Sequence, residues 1–261
     1  MDLSERQLKT KNTGLFLNGG ARMKKIVKTP LPDLDLYPPF QGFPREGINF
    51  MKRLKRNNNR PWFEKHKEEY EAFVKLPMQS LIAALHPPFE RFAPEFDVNP
   101  KRSIFRIYRD VRFSNDKTPY KTHVAAHFVL RGKPKGVEGS GYYLHIEPGE
   151  VFLGGGIYMP DNDQLKNIRR AIANQPERFL SIVGDAKFKK LFGVIEGEKL
   201  QREPKGYEPD HPMIEWLKYK QFFVGVEWEE SRCLKERFVS EATGVFEAAT
   251  PLVRFLNEAI G

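Results

Sequence analysis

From Phe50 onward the apolar positions recur at helical spacing, with Phe50 and Leu54 on one face and then a break at Asn57-Asn58-Asn59. Pro61-Trp62-Phe63 opens a second predicted helix that continues through Tyr70, Phe73 and Leu76. The Asn run supplies caps for both helices, and Pro61 falls near the first helical position, where a missing N–H costs nothing. Gln79 to Leu85 extends the helical pattern until His86-Pro87-Pro88, which is expected to stop it.

The period then changes from helical to alternating. Ser103 to Phe113 sets Phe105, Ile107, Arg109, Val111 and Phe113 on one side and Arg106, Tyr108, Asp110 and Arg112 on the other, which predicts a strand. Val124 to Leu130 alternates Ala126, Phe128 and Leu130 with Ala125, His127 and Val129. Gly141 to Glu147 alternates Tyr142, Leu144 and Ile146 with Tyr143, His145 and Glu147. Val151 to Met159 returns through Glu147-Pro148-Gly149-Glu150, a hairpin signal. Phe222 to Trp228 adds a fifth strand, and Leu200 lies in a short edge segment.

Helices follow the sheet as well as precede it. Asp161 or Asn162 caps a helix over 163–173, Pro176 begins one through Val183, and Asp185 caps a short one through Phe192. Asp210-His211-Pro212 caps a helix over 213–219, and Ser231 opens a long C-terminal helix interrupted near Thr250-Pro251. The fold class is therefore α+β: an antiparallel sheet of about four to six strands, one face core and the other polar, with helices before and after it.

A chain of 261 residues, 40% hydrophobic, fits one domain with a tail. Residues 1–36 are Lys-rich and Pro-broken and are expected to form a flexible basic leader ahead of a single domain over 37–261. The start of the chain lacks the apolar core of a signal peptide, and no run reaches the roughly 18 apolar residues of a membrane span. The single cysteine, Cys233, makes no intrachain disulfide, and no Cys/His spacing suggests structural zinc. Together these predict a cytoplasmic protein without a membrane partner.

Charge sharpens the picture. Of the formal +9, a net +8 falls within residues 101–135, where ten cations face only Asp110 and Asp116. A field concentrated this way selects an anionic partner: phosphate, carboxylate or nucleic acid. A solvated basic face has the same composition.

The candidate chemistry lies where this segment meets the sheet. Arg106, Arg109 and Arg112 are candidates to clamp an oxyanion, with Lys117 and Lys121 at the entrance of an anion nest over 116–123, and Tyr108 and Tyr143 beside them. His145 with Glu147 or Asp110 supplies acid/base function. His145-x-Glu147, with His127 across the ladder, also has metal-ligand character, although no metal site is assigned. The local alternative is that Asp116 closes an Asx turn and Arg109 satisfies Asp110, Asp116 or main-chain carbonyls. Gly154-Gly155-Gly156 lacks the Walker and dinucleotide spacings and marks either a bulge or a close approach of backbone or ligand. The cofactor is left unknown by these residues.

These residues resemble a known family. Gly42-Phe43, Asn57 to Phe63 with His66-Lys67 and Tyr70, Arg106 to Ser114 with Asp116-Lys117 and Pro119-Tyr120-Lys121, the Tyr143/His145/Gly154-Gly155-Gly156 hairpin, and Asp210-His211-Pro212 before Leu217-Lys218 are similar to domain-of-unknown-function family 2461, found in bacteria and fungi. The similarity runs from about residue 40 to the C-terminus. It implies a single intracellular α+β domain, and it carries over no activity and no catalytic residues.

Three functions fit. The first is a pocket for a small anionic ligand, in an enzyme acting on a phosphorylated or carboxylated molecule. The second is a nucleic-acid-binding protein that uses the basic 101–135 segment with Tyr108, Phe113 and Tyr120 as stacking groups. The third is a non-catalytic structural or adaptor protein whose polar cluster is covered by the C-terminal helix.

Overall fold

The structure is a computed structural model that describes residues 32–133 and 139–261. The expected leader lies outside it except for residues 32–36, of which Leu34–Leu36 form one 3-10 turn, and Lys135 of the basic segment also falls outside.

Helix α1 (Arg45–Arg56) ends at Asn57, and Asn59 caps α2 (Arg60–Lys65) by accepting from the Trp62 N–H at 3.0 Å. The single helix expected from Pro61 to Leu76 is broken at His66. Its ring bonds the Trp62 carbonyl at 2.7 Å through Nδ1 and stacks on the Trp62 indole, taking the acceptor that its own N–H would use in a continuing helix. The chain restarts as α3 (Lys67–Tyr70), widens into one π turn at Glu71–Lys75, and enters α4 (Leu76–Phe92). Gly47 of α1 lies against this wide turn so closely that a Cβ there would stand 2.1 Å from the Phe73 carbonyl oxygen.

His86-Pro87-Pro88 does not stop α4, which continues to Phe92. The prolines remove two backbone donors, but Leu81, Ile82, Leu85 and Phe89 are all buried along one stripe, and His86 Nδ1 bonds the Val98 carbonyl at 2.8 Å. Burial of that stripe outweighs the local preference.

The sheet holds five antiparallel strands in sequential order: β1 (Phe96–Asp97), β2 (Val124–Leu130), β3 (Gly141–Glu147), β4 (Glu150–Ile157) and β5 (Phe222–Glu229). The strand expected over Ser103–Phe113 is corrected. That segment only touches β2 and the chain before it, through bridges at Ile104–Ala126 and Tyr108–Tyr120, and then turns away. Asp110 accepts from the Arg112 N–H at 3.2 Å and Asp116 from the Thr118 N–H at 2.9 Å, so side-chain carboxylates capture the donors a ladder needs. β4 is regular from Glu150–Glu229 to Ile157–Phe222, so its three glycines mark no bulge.

After the first four strands come α5 (Asn162–Asn174), with Asp161 and Gln164 in a full capping box, α6 (Pro176–Gly184), and α7 (Ala186–Phe192), capped by Asp185. α8 is shorter than expected, Ile214–Leu217, and its entry is closed by His211, whose Nδ1 accepts from Met213 N–H at 3.1 Å. The edge segment near Leu200 is present as a Leu200 N–H bond to the Lys218 carbonyl. Ser231 sits in a 3-10 turn, Glu230–Arg232, and the long helix α9 begins later, at Phe238, and runs unbroken through Pro251 to Ile260. The residues flanking Pro251, Thr250 and Leu252, are buried, so tertiary packing carries the helix across the missing donor.

One face of the sheet is core. Phe128, Tyr142, Leu144, Leu153 and Val224 lie under Phe246, Ala249 and Val253 of α9 and Phe89 of α4, with Phe89 and Phe246 packed edge-on to Tyr142. Helices cover this side and leave the other to the groove described next.

Candidate functional site

Strand alternation places Ala125 and His127 of β2, Gly141, Tyr143, His145 and Glu147 of β3, Glu150, Phe152, Gly154 and Gly156 of β4, and Phe223, Gly225, Glu227 and Glu229 of β5 on the face opposite the core. Register turns this list into rows. His127, Tyr143, Gly154 and Gly225 cross the sheet in one row, and Ala125, His145, Phe152 and Glu227 in the next. Glu147, Glu150 and Glu229 form the row at the hairpin end.

The glycine rows have no side chains to fill them, and aromatic residues stand around them. The result is a groove of about 700 Å³ floored by Gly141, Gly154 and Gly156 and walled by Phe105, His127, Tyr143, Phe152, Tyr158 and Phe223. Gly156 has φ 138°, a conformation that disfavours any side chain. The Phe152 ring lies over Gly225. Close approach, one of the two readings of the glycine triplet, is therefore what the structure holds.

The polar end of the groove belongs to His145. Its Nε2 stands 3.3 Å from Glu150 Oε1 and 4.0 Å from Glu147 Oε1, and its ring stacks on Phe152 at 5.7 Å. His123, just before β2, lies 5.6 Å away ring to ring. Burial, then the neighbouring His145 and Lys121, pushes His123 down to about 4, so it is a neutral imidazole at neutral pH. Burial and then Glu147 push the Tyr143 phenol up to about 12, keeping it a hydrogen-bond donor.

On the β2 side one cation stands beside a wall of the groove. Lys121 Nζ lies 4.8 Å from the centroid of the Phe105 ring, itself a wall of the groove, and burial with nearby Arg106 lowers its pKa. Among the described residues neither Lys121 nor Arg106 has a carboxylate within ion-pair distance.

The other candidates gather in the turn between residues 109 and 118. Arg109 bonds Asp116 and Thr118, and Arg112 bonds Asp110 through two nitrogens, 3.0 and 2.6 Å. These bonds hold Asp110 down to about 2. Lys117 Nζ donates to the Val111 carbonyl at 3.0 Å. Tyr108, 48% exposed, leans on Tyr120, and Phe113 is 94% exposed with Arg112 over its ring. So the structure brings Tyr143, His145 and Glu147 together with Lys121 close by, and sets Asp110, Arg109, Arg112 and Lys117 among local partners. Arg106, Tyr108, Asp110 and Arg112 do not share a sheet face with His145, because their segment is not a strand.

Sequence reasoning passed over Glu150, Phe152 and Phe223 as site residues and held His123 only as the end of the 116–123 turn. The first two were within reach: the hairpin at Pro148-Gly149 pairs Glu147 with Glu150 and, two steps on, His145 with Phe152.

By fold and site, this is an α+β protein with one face of its antiparallel sheet open as an aromatic, glycine-floored groove. The chain belongs to the family described as Conserved hypothetical protein (DUF2461), whose model matches residues 46–255. No curated protein and no solved structure matches it. No helix of the described residues is long and apolar enough to cross a membrane.

Proposed function

We propose that the groove binds a small molecule with a flat apolar body and a phosphate or carboxylate group. The body lies on the glycine floor between Tyr143, Phe152 and Phe223, and the anion is received by Lys121 with Arg106. The observation that carries this reading is Lys121 itself: half-buried, set against the Phe105 wall, and without a carboxylate partner among the described residues. A half-buried cation that no described carboxylate neutralises suits a ligand anion. His145, with Glu147 and Glu150, gives the other end of the groove groups able to exchange a proton with the ligand, which is the route by which binding becomes catalysis.

A thermal-denaturation screen of phosphorylated and carboxylated aromatic compounds tests this. A ligand at 100 times its Kd stabilises by about 2.7 kcal/mol, a rise in Tm of about 5–10 °C for a chain of this size. Lys121→Ala and Phe105→Ala abolish that rise, while Arg112→Ala leaves it. A screen without hits, or hits indifferent to Lys121→Ala, overturns the reading.

One observation favours nucleic acid instead. Phe113 projects fully into solvent beside Arg112 at the tip of the basic turn, which is a stacking group next to a cation. Binding of a single-stranded oligonucleotide that weakens steeply with salt and is lost in Phe113→Ala supports that second function.

A further inference from the structure

We propose that His145, Glu147 and Glu150 form a binding site for a divalent transition-metal ion at the hairpin end of the groove. One imidazole nitrogen and a carboxylate oxygen from each glutamate lie within 4.8 Å of one another. Two ligands held about 2.1 Å from a tetrahedral ion stand about 3.4 Å apart. His145 Nε2 and Glu150 Oε1 are separated by 3.3 Å, and Glu147 Oε1 is 4.0 Å from the same nitrogen, within the reach of a small change in its torsions.

At the same distances His145 Nε2 and Glu150 Oε1 make a hydrogen bond, but a long one, 3.3 Å. A charge-assisted N–H···O bond is about 2.7–2.9 Å long, and neither carboxylate approaches His145 that closely. The nitrogen faces two oxygens at a spacing suited to something between them.

A second observation is independent of the histidine. Glu147 pairs directly with Glu150 across β3 and β4, and Glu150 with Glu229 across β4 and β5. Like charges directly opposite on a sheet repel. Among the described residues no lysine or arginine lies within ion-pair distance of any of the three, in a chain of net charge +9. Glu230, one residue further on, does have such a partner in Lys52. A divalent cation would relieve the repulsion in this row.

The mixed set of one imidazole and two carboxylates suits zinc, manganese or cobalt rather than magnesium or calcium. Three protein ligands leave positions open, and His145 lines the groove, so a ligand lying there would face the ion. The proposal goes beyond the anion reading and does not depend on it, because Lys121 and Phe105 supply no ligand.

The test uses the full chain, freed of any affinity tag, stripped with a chelator and titrated with Co2+ and then with Zn2+. Expected are one Co2+ per chain with the visible absorption of a nitrogen- and oxygen-ligated ion, its displacement by Zn2+, and a rise in Tm on adding either metal. Glu150→Gln and His145→Gln each abolish the absorption and the rise, and Lys121→Ala keeps both. Circular dichroism establishes that the two glutamine variants fold. No stoichiometric ion, or an ion retained in both folded variants, overturns the proposal. Failure of the unsubstituted chain to take up an ion while it binds an anionic ligand also overturns it, and leaves the groove reading standing.

Discussion

Phe152 lies across Gly225 with no room between them: a Cβ on Gly225 would come within 2.3 Å of the ring's Cζ. The contact joins β4 to β5 on the open face and sets how far the Phe152 ring leans into the groove. Gly225→Ala therefore has to lift the ring or shift β5. Overpacking of this kind costs about 1–3 kcal/mol. The expected outcome is a Tm lower by several degrees, with most of the loss absent when the same change is made in a Phe152→Ala background. A penalty equal in both backgrounds would show that the backbone, not the ring, resists the methyl group.

Asn58 holds the segment that carries Lys121. Its Oδ1 accepts from the Tyr120 N–H at 3.1 Å and its Nδ2 donates to the Tyr120 carbonyl at 2.9 Å. The neighbouring Pro119 and Lys121 bond the other way, to Arg109 and Ile107, so the amide of Asn58 serves Tyr120 as a one-residue strand. Asn58→Ala leaves a buried donor and acceptor without partners, at about 1–3 kcal/mol. Asn58→Asp removes the donor and sets a carboxylate against a carbonyl, so it is expected to destabilise at least as much. Denaturant midpoints order the three proteins, and faster exchange of the Tyr120 amide locates the damage.

How much of this was legible follows from what each signal depends on. Strand alternation and the Pro148-Gly149 hairpin are local, so β2 to β5 and the pairing of polar positions on one face could be read directly. The 103–113 segment has the same alternation, but Asp110 and Asp116 divert its backbone, and alternation is blind to that competition. The prolines in α4 and α9 are local stop signals overridden by burial of Phe89, Leu252 and their neighbours, which only the assembled core supplies. For the site, His145 and Glu147 were legible from spacing alone. Lys121 and Arg106 were found by charge, whereas Arg109 and Arg112, found the same way, have partners nearby in sequence. The groove itself depends on glycines of β3 and β4 meeting in register, and register is not written in either strand.

Cys233 is buried, its Sγ donates to the Glu230 carbonyl at 3.0 Å, and burial pushes its thiol up to about 12. At pH 8 almost none is thiolate, and what exists has no path to reagent. Native protein is expected to be inert to an aromatic disulfide reagent over hours, and unfolded protein to release one equivalent at once. Rapid labelling of the native chain would contradict the packing around Phe43, whose N–H bonds the Cys233 carbonyl at 2.7 Å.

The buried hydroxyl chain under α9 gives a test of how the helix passes Pro251. Tyr142 donates to Thr250 Oγ1 at 3.0 Å, and Thr250 donates to the Phe246 carbonyl at 2.9 Å, joining the centre of the sheet to the turn before the proline. Thr250→Val keeps the shape and removes both bonds, leaving the Tyr142 hydroxyl buried without a partner at about 1–3 kcal/mol. In a Tyr142→Phe background that orphaned group no longer exists, so the same substitution costs less. If the chain of hydroxyls stabilises this crossing, a double-mutant cycle in urea gives a coupling energy of about 0.5–3 kcal/mol. Strict additivity would mean that water or a shifted Tyr142 ring satisfies the phenol, and that apolar packing alone carries α9 across Pro251.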